Sequence, residues 1–320
     1  MLYSAHYWFY IFNSSRRMFI VSDRANQLCN RLSLFRDLMS ASIELNHQLV
    51  IPFFDDYASC FIGSSNDLFC RFPSARLCLA PTNAYSRKAF RRQVERVVRQ
   101  LKHRQGLAKR LGAAMVTSDY ASTLSGESST YDLASPQFAE LASRHRFIFL
   151  SGPLFRVTSK DWVVKHGDRI RRYFEPVPAI RKVVNRVLEQ QRQSRSILVG
   201  VHIRRGDYAT FLSGRYHYSH AQYAAVMRRV REVLMTQLQN QHVMFLLSSN
   251  EDIPEEPYTG MHCIRLRGTD VEDLYTLAGC DYLIGPPSTF GKWAAWHGRV
   301  PRYTLSDPEH TPQLSEFKRF

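Results

Sequence analysis

Apolar positions along this chain switch between two periods, and the order of the switches outlines a fold. Residues 18–22 (MFIVS) form a short apolar run that predicts a strand. Leu28, Leu32, Phe35, Leu38, Met39 and Ile43 then recur at steps of three and four, which predicts a helix. Residues 49–53 (LVIPF) predict the next strand, and strand–helix–strand units of this kind build parallel sheets. Residues 55–85 show no clean period. Val94, Val97, Val98 and Leu101 make the apolar stripe of a helix over 87–110. Residues 117–135, rich in Ser, Thr, Ala and Gly, read as a surface loop. Residues 147–150 (FIFL) predict a strand that ends in Ser151-Gly152-Pro153, and a helix follows over about 177–193 with Ile180, Val183, Val184, Val187 and Leu188 on one face.

The second half repeats the alternation. Residues 196–203 (SILVGVHI) are almost continuously apolar, as a strand covered on both faces must be. A helix around 220–239, strands at 243–247 (VMFLL) and 263–266, a helix over 271–278, a strand at 282–284 and a last helix from Ser288 or Thr289 to Trp296 complete it. Two α/β halves joined in the polar segment 190–196 predict two Rossmann-like domains facing a cleft. The expected division is a leader at 1–17, a first domain over 18–190 and a second over 191–320. Ligands of such sheets bind at the carboxyl ends of the strands.

The chain's 320 residues are enough for about two domains. A composition of 44% hydrophobic and 22% charged residues excludes disorder, collagen and a coiled-coil rod. Forty-three Lys and Arg against 28 Asp and Glu leave a net charge of +15, which favours phosphates, nucleic acid or an acidic membrane as partners. The helix over 87–110 concentrates that charge: Arg87, Lys88, Arg91, Arg92, Arg96, Arg99, Lys102, Arg104, Lys109 and Arg110 stand against Glu95. It reads as a solvated face or as a patch that lies on anionic lipid or a charged glycan. The cysteines Cys29, Cys60, Cys70, Cys78, Cys263 and Cys280 form no CxxC pair and no zinc spacing, so they are expected as reduced thiols, with a bridge among Cys60, Cys70 and Cys78 left open. The apolar run at 7–12 (YWFYIF) is too short to span a membrane, and its arginines, Arg16 and Arg17, follow it where a signal peptide would place them before. The expected location is the cytoplasm, or the inner face of the membrane as a peripheral protein.

Three strand ends in the second half carry polar residues that belong together chemically. The first is His202-Ile203-Arg204-Arg205-Gly206-Asp207-Tyr208. Two adjacent guanidiniums where a buried strand leaves the core are costly unless something anionic meets them, and arginine suits bidentate phosphate binding. If the extended backbone persists, His202 and Arg204 point one way and Arg205 and Asp207 the other, so that one arginine faces a ligand while its neighbour pairs with Asp207. The second end, Ser248-Ser249-Asn250-Glu251-Asp252, suits a ribose or base edge and equally a plain turn. The third runs through Gly285-Pro286-Pro287 into Ser288-Thr289-Phe290-Gly291, where a Ser or Thr caps a helix whose backbone N–H groups attract anions. Asp270, Glu272 and Asp273 open another helix, where carboxylates are favourable. Trp293 and Trp296 read as core. In the first half, the turn Asn26-Gln27-Leu28-Cys29-Asn30-Arg31 after strand one either binds a ligand or caps its helix.

The segments at 201–208, 245–250 and 272–296, in this order, resemble the alpha-1,2-fucosyltransferases, which share this half with alpha-1,6- and protein O-fucosyltransferases. In the first half, Asn26-Gln27 and Asn30-Arg31 are similar to the family's Gly-Asn-Gln turn without its glycines. The resemblance implies a GT-B-like, inverting glycosyltransferase that uses GDP-fucose as donor substrate, with no other cofactor and no metal. Its second domain would bind the GDP-sugar and its first the glycan acceptor of a surface polysaccharide or lipopolysaccharide. By position it implies Arg204 on the β-phosphate, His202 and Asp273 on guanine, Ser288 and Thr289 on the phosphates, Arg205 and Asp207 in support, and Asn250, Phe290, Asn26, Asn30 and Arg31 around the donor. No Asp-x-Asp sequence occurs, so arginine rather than a divalent cation is expected to stabilise the departing diphosphate. The base for the acceptor hydroxyl stays open among Asp23, Asp55, Asp56 and Asp207. The competing readings are another nucleotide-sugar donor, a catalytically dead sugar binder, and a basic nucleic-acid-binding protein; the last needs exposed aromatics among its cations, whereas those here fall in apolar runs.

Overall fold

A computed structural model describes residues 16–74, 82–103, 110–118, 130–192, 196–239 and 242–320. The chain divides into two compact units, Met1–Val177 and Pro178–Phe320. The joint therefore falls at 177/178 and not in the polar segment 190–196, because the helix that precedes that segment packs with the second unit. The leader, up to residue 15, lies outside the described residues, as does Cys78; Cys29, Cys60, Cys70, Cys263 and Cys280 are in no disulfide.

In the first unit β1 (Met18–Val21), α1 (Leu28–Glu44) and β2 (Gln48–Val50) form the expected parallel pair of strands with its connecting helix. β2 stops short of the predicted residue 53, since Pro52 has no N–H for the ladder and Pro52–Phe54 turns as 3-10 helix instead. α2 (Ile62–Ser65), β3 (Arg71–Phe72), α3 (Ala84–His103), β4 (Ala113–Thr117), β5 (Tyr131–Asp132), α4 (Pro136–Arg144), β6 (Phe147–Ser151), β7 (Phe155–Arg156) and α5 (Lys160–Tyr173) follow. The sheet order is β3-β2-β1-β6-β4, with only β3 antiparallel, and β5 pairs with β7 apart from it. Met18, Ile20, Val50, Phe147 and Phe149 pack on Val94, Val98 and Leu101 of α3, three of the four residues of the stripe read from the sequence, and on Phe90; Val97 packs against this cluster half-buried. Two of that helix's cations are not surface charges. Arg87 is buried and donates to the carbonyls of Ser64, Ser65, Asp67 and Thr82, and Arg91 pairs with Asp55 at 3.1 Å. Lys88, Arg92, Arg96 and Arg99 remain as one exposed stripe beside Tyr85.

The second unit opens with α6 (Pro178–Gln191) and continues through β8 (Ser196–Ile203), α7 (His220–Gln237), β9 (His242–Ser249), β10 (Cys263–Arg265), α8 (Asp270–Ala278), β11 (Tyr282–Gly285), α9 (Thr289–Gly298) and β12 (Arg302–Thr304). All five strands are parallel in the order β10-β9-β8-β11-β12. In chain order this is 3-2-1-4-5, so the sheet grows one way from β8 and then the other, leaving a switch point between β8 and β11. Val199, Val201 and Ile203 face α7 through Tyr223, Met227 and Val230. The alternate residues, Leu198, Gly200 and His202, face α8 and α9. Gly200 lets α8 close on the sheet: a Cβ there would sit 2.8 Å from Leu277 and 3.2 Å from the Cys280 sulfur. Trp293 and Trp296 are buried, as expected.

Candidate active site

The candidate residues of the second unit gather at the carboxyl ends of β9, β8 and β11, around the switch point. His202 and Ser248 are register partners on adjacent strands and so share a face of the sheet. Ser248 donates through Oγ to Asp273 Oδ2 at 3.3 Å, and the Gly268 N–H donates to Asp273 Oδ1 at 3.0 Å. Thr269 and Glu272 build a capping box that starts α8 and delivers Asp273 to this edge. Burial, reinforced by Asp270 and Glu272, lifts the Asp273 carboxyl to about 6 against the two hydrogen bonds that favour its ionised form. A carboxylate held this way at the end of a strand can accept a pair of donors from a base edge.

His202 is buried, and neither of its ring nitrogens has a hydrogen-bond partner. Its ring stacks on Phe290 with centroids 4.7 Å apart. Burial, with Arg204 and Arg302 nearby, depresses its pKa to about 3, so the imidazole is neutral at any physiological pH. It can therefore donate one hydrogen bond and accept another. Gly285 makes room for it: a Cβ at that position would lie 2.9 Å from the His202 carbonyl oxygen.

The extended backbone ends at Ile203, which changes the pairing of the two arginines. Residues 206–209 turn as 3-10 helix with Gly206 at φ 27°, so Asp207 comes round to Arg204, whose Nη2 donates to its Oδ2 at 2.8 Å. Arg205 instead pairs with Glu251 and donates to the Tyr218 carbonyl at 2.7 Å. The expected Arg205–Asp207 side is thus corrected to Arg204–Asp207 and Arg205–Glu251. Asn250 accepts from the Arg205 N–H at 3.1 Å, and a Cβ on Gly206 would meet its Nδ2 at 2.4 Å; Asn250 shapes the turn. Arg204 also lies over the Tyr208 ring at 5.8 Å, and the Tyr208 hydroxyl donates to the Pro287 carbonyl at 2.5 Å, tying the end of β8 to the turn after β11.

That turn leads into α9. Ser288 is its N-cap, accepting from the Gly291 N–H at 3.2 Å, and Thr289 and Phe290 occupy the first helical positions, where backbone N–H groups have no intrahelical acceptor. The site's positive ends therefore converge: Arg204 from β8 and the N-terminus of α9 from β11. Arg302, which the sequence reading left out, lies behind them. It is 1% exposed and donates to the carbonyls of Gly285 at 3.1 Å and Pro286 at 2.6 Å and to the Thr304 hydroxyl at 2.8 Å. Tyr208 and Glu251 lie in the strand-end segments singled out from the sequence, but their partners, the Pro287 carbonyl and Arg205, are distant in the chain and gave no local signal.

Asn26, Asn30 and Arg31 belong to the first unit, at the start of α1. Arg31 is buried and committed to structure: Nε donates to the Ala25 and Asn26 carbonyls, Nη1 to the Phe53 carbonyl and to Asp56 at 3.1 Å. Among the candidate bases, Asp55 is held by Arg91 and Asp56 by Arg24 and Arg31. Asp23 sits between the carboxyl ends of β1 and β6 and accepts from the Ser22 and Ser151 hydroxyls and the Gly152 N–H, with no ion pair among the described residues. Asp207 has the most exposed side chain of the candidates and carries Arg204.

Residues 166–300 match the family model of glycosyl transferase family 11, the alpha-1,2-fucosyltransferase family. The match includes every candidate residue of the second unit except Arg302, and it makes the chain a glycosyltransferase. No curated protein matches the chain. Among solved structures, a mutant of Arabidopsis thaliana FUT1 in complex with GDP is similar at a TM-score of 0.56 and 12% identity, over 97% of this chain and 75% of that one. The fucosyltransferase NodZ from Bradyrhizobium is similar at 0.55 and 16%, over 93% and 98%. POFUT1 in complex with GDP is similar at 0.51 and 12%, over 90% and 98%. The likeness shows the fold, and that fold is the α/β, GT-B-like one expected from the sequence.

Proposed function

We propose that the chain transfers fucose from GDP-fucose to a hydroxyl of a glycan, with inversion at the anomeric carbon and in alpha-1,2 linkage. The observation that carries the reading is the polarity of the switch point in the second unit. One end offers the Asp273 carboxylate, Ser248 and a neutral His202, groups that recognise a base and ribose. The other offers Arg204 and the open N-terminus of α9, groups that recognise a diphosphate. In this reading Arg204, oriented by Asp207 and Tyr208, and Ser288 with the first N–H groups of α9 stabilise the negative charge that develops on the diphosphate as the sugar departs. His202 keeps one protonation state throughout and positions the nucleoside. The match to family 11 and the GDP complexes of the structural neighbours support GDP as the nucleotide.

A thermal-shift series with GDP, UDP, ADP and CMP tests this. Only the native nucleotide stabilises the fold by mass action, so GDP is expected to raise the melting temperature well above the others. A larger shift with UDP or ADP refutes the donor assignment. The remaining partner is a membrane: the exposed stripe Lys88, Arg92, Arg96 and Arg99, with Tyr85 at its head, supports reversible contact of the first unit with an anionic lipid face, where a lipid-linked acceptor would be met.

A further inference from the structure

Arg302 is a buried cation whose hydrogen bonds hold one turn of the candidate site. It stands on β12, is almost fully buried, and among the described residues has no carboxylate partner; its side-chain hydrogen bonds go to neutral oxygens, and Nε has none. Burying a charge without a counter-ion is strongly unfavourable. The ionisable groups around it are His202, held neutral, Tyr208, and Arg204 with Asp207, which pair with each other. Desolvation brings the Arg302 guanidinium down to about 10, which still leaves it charged at neutral pH. Its location is specific: two of its N–H groups hold the carbonyls of the Gly285-Pro286 turn, and Gly291 of α9 approaches so closely that a Cβ there would be 3.0 Å from Nε. The charge thus sits beneath the turn that presents the N-terminus of α9, on the side of the protein interior.

We propose that Arg302 is a positioning residue whose charge is balanced by the ligand: it fixes the turn that aims the α9 N–H groups and supplies, from below, the positive potential that a nucleoside diphosphate neutralises. The proposal rests on the nucleoside-diphosphate reading of the site. It differs from a direct phosphate contact, because the side chain is covered and acts through the turn and through its field. The subsite would then hold its diphosphate between a cation at the surface, Arg204, and one in the interior, Arg302, with α9 between them.

The test compares GDP, GMP and guanosine, which carry falling negative charge on one nucleoside, by calorimetric titration of wild type, Arg302→Gln and Arg302→Lys. The neutral glutamine can still donate to one turn carbonyl, so Arg302→Gln is expected to fold with a cooperative melt. Its affinity for GDP should fall at least about tenfold and for guanosine by less than about twofold, with GMP between. Arg302→Lys keeps the charge and should retain most of the wild-type ratio of GDP to guanosine affinity. Equal losses for all three ligands, an unchanged GDP affinity in Arg302→Gln, or a glutamine variant that does not fold would each make Arg302 a framework residue and overturn the proposal. A wild-type protein that prefers UDP or ADP defeats the donor reading instead, and the same charge series with that nucleoside then tests Arg302.

Discussion

Asp273 offers a prediction in which function and stability pull in opposite directions. Its carboxyl rises from an ordinary 3.8 to about 6 in the folded unit, with burial as the largest cause. At about 1.4 kcal/mol per pH unit, that rise is worth roughly 3 kcal/mol. The group keeps partial contact with solvent, and screening reduces the figure to about 1–2 kcal/mol. The sign follows from linkage: a carboxyl that is harder to ionise when folded opposes folding once both states are charged. The penalty is absent below about pH 4, where both states are protonated, grows between pH 4 and 6, and is complete above pH 6. Asp273→Asn removes it while its amide can still donate to Ser248 Oγ and accept from the Gly268 N–H. The variant should therefore be more stable than wild type at pH 7.5, by about 2–8 °C in the melting temperature of a unit of this size, and no more stable at pH 4. It should also lose affinity for the guanine nucleotide, since the acceptor for two donors is gone. Melts followed by tryptophan fluorescence at pH 7.5, 6 and 4, with and without GDP, measure both effects; Trp293 and Trp296 report on the second unit. A gain that persists at pH 4, or no gain at pH 7.5, would refute the reasoning.

Three further outcomes are expected. Arg204→Ala should lower turnover by about a hundred- to a thousand-fold with an unchanged circular dichroism spectrum, and Arg204→Lys should restore only part, because an ammonium cannot make a bidentate contact; near wild-type turnover in either variant removes Arg204 from the diphosphate. Transfer should survive EDTA, since arginine and the α9 N-terminus supply the positive charge at the leaving group, and loss in EDTA with recovery on Mg²⁺ or Mn²⁺ would overturn this. Replacing Lys88, Arg92, Arg96 and Arg99 with Glu should abolish co-sedimentation with anionic vesicles, to which each cation contributes about 1 kcal/mol, and wild-type binding should weaken as salt rises; equal recovery with neutral vesicles makes the stripe a solvated face.

The second unit was legible because its chemistry is local in sequence. A fully buried central strand must be apolar throughout, so Ser196–Ile203 announces itself, and the polar residues at its end are the candidate ligand residues. Capping boxes place α8 and its Asp273 by the same local logic. What escaped depends on contacts distant in the chain. α5 keeps a helical period but is polar overall, with few buried positions, Ile170 and Tyr173 among them, so no apolar stripe marks it in the sequence. β12 has three residues, one of them an arginine, and an arginine in a short polar-looking run reads as surface. The pairing of Arg204 departs from expectation for a related reason: parity along a strand holds only while the backbone stays extended, which ends at Ile203, and the turn that starts at Gly206 brings Asp207 round to Arg204. These departures concentrate at the switch point itself. An arginine buried with no counter-ion among the described residues and a histidine with two unmet ring nitrogens each conflict with what stability alone prefers. Local rules are expected to fail where a site is shaped for a ligand rather than for the fold, and the meeting of both at the ends of β8 and β11 is the strongest physical reason to place the nucleotide there.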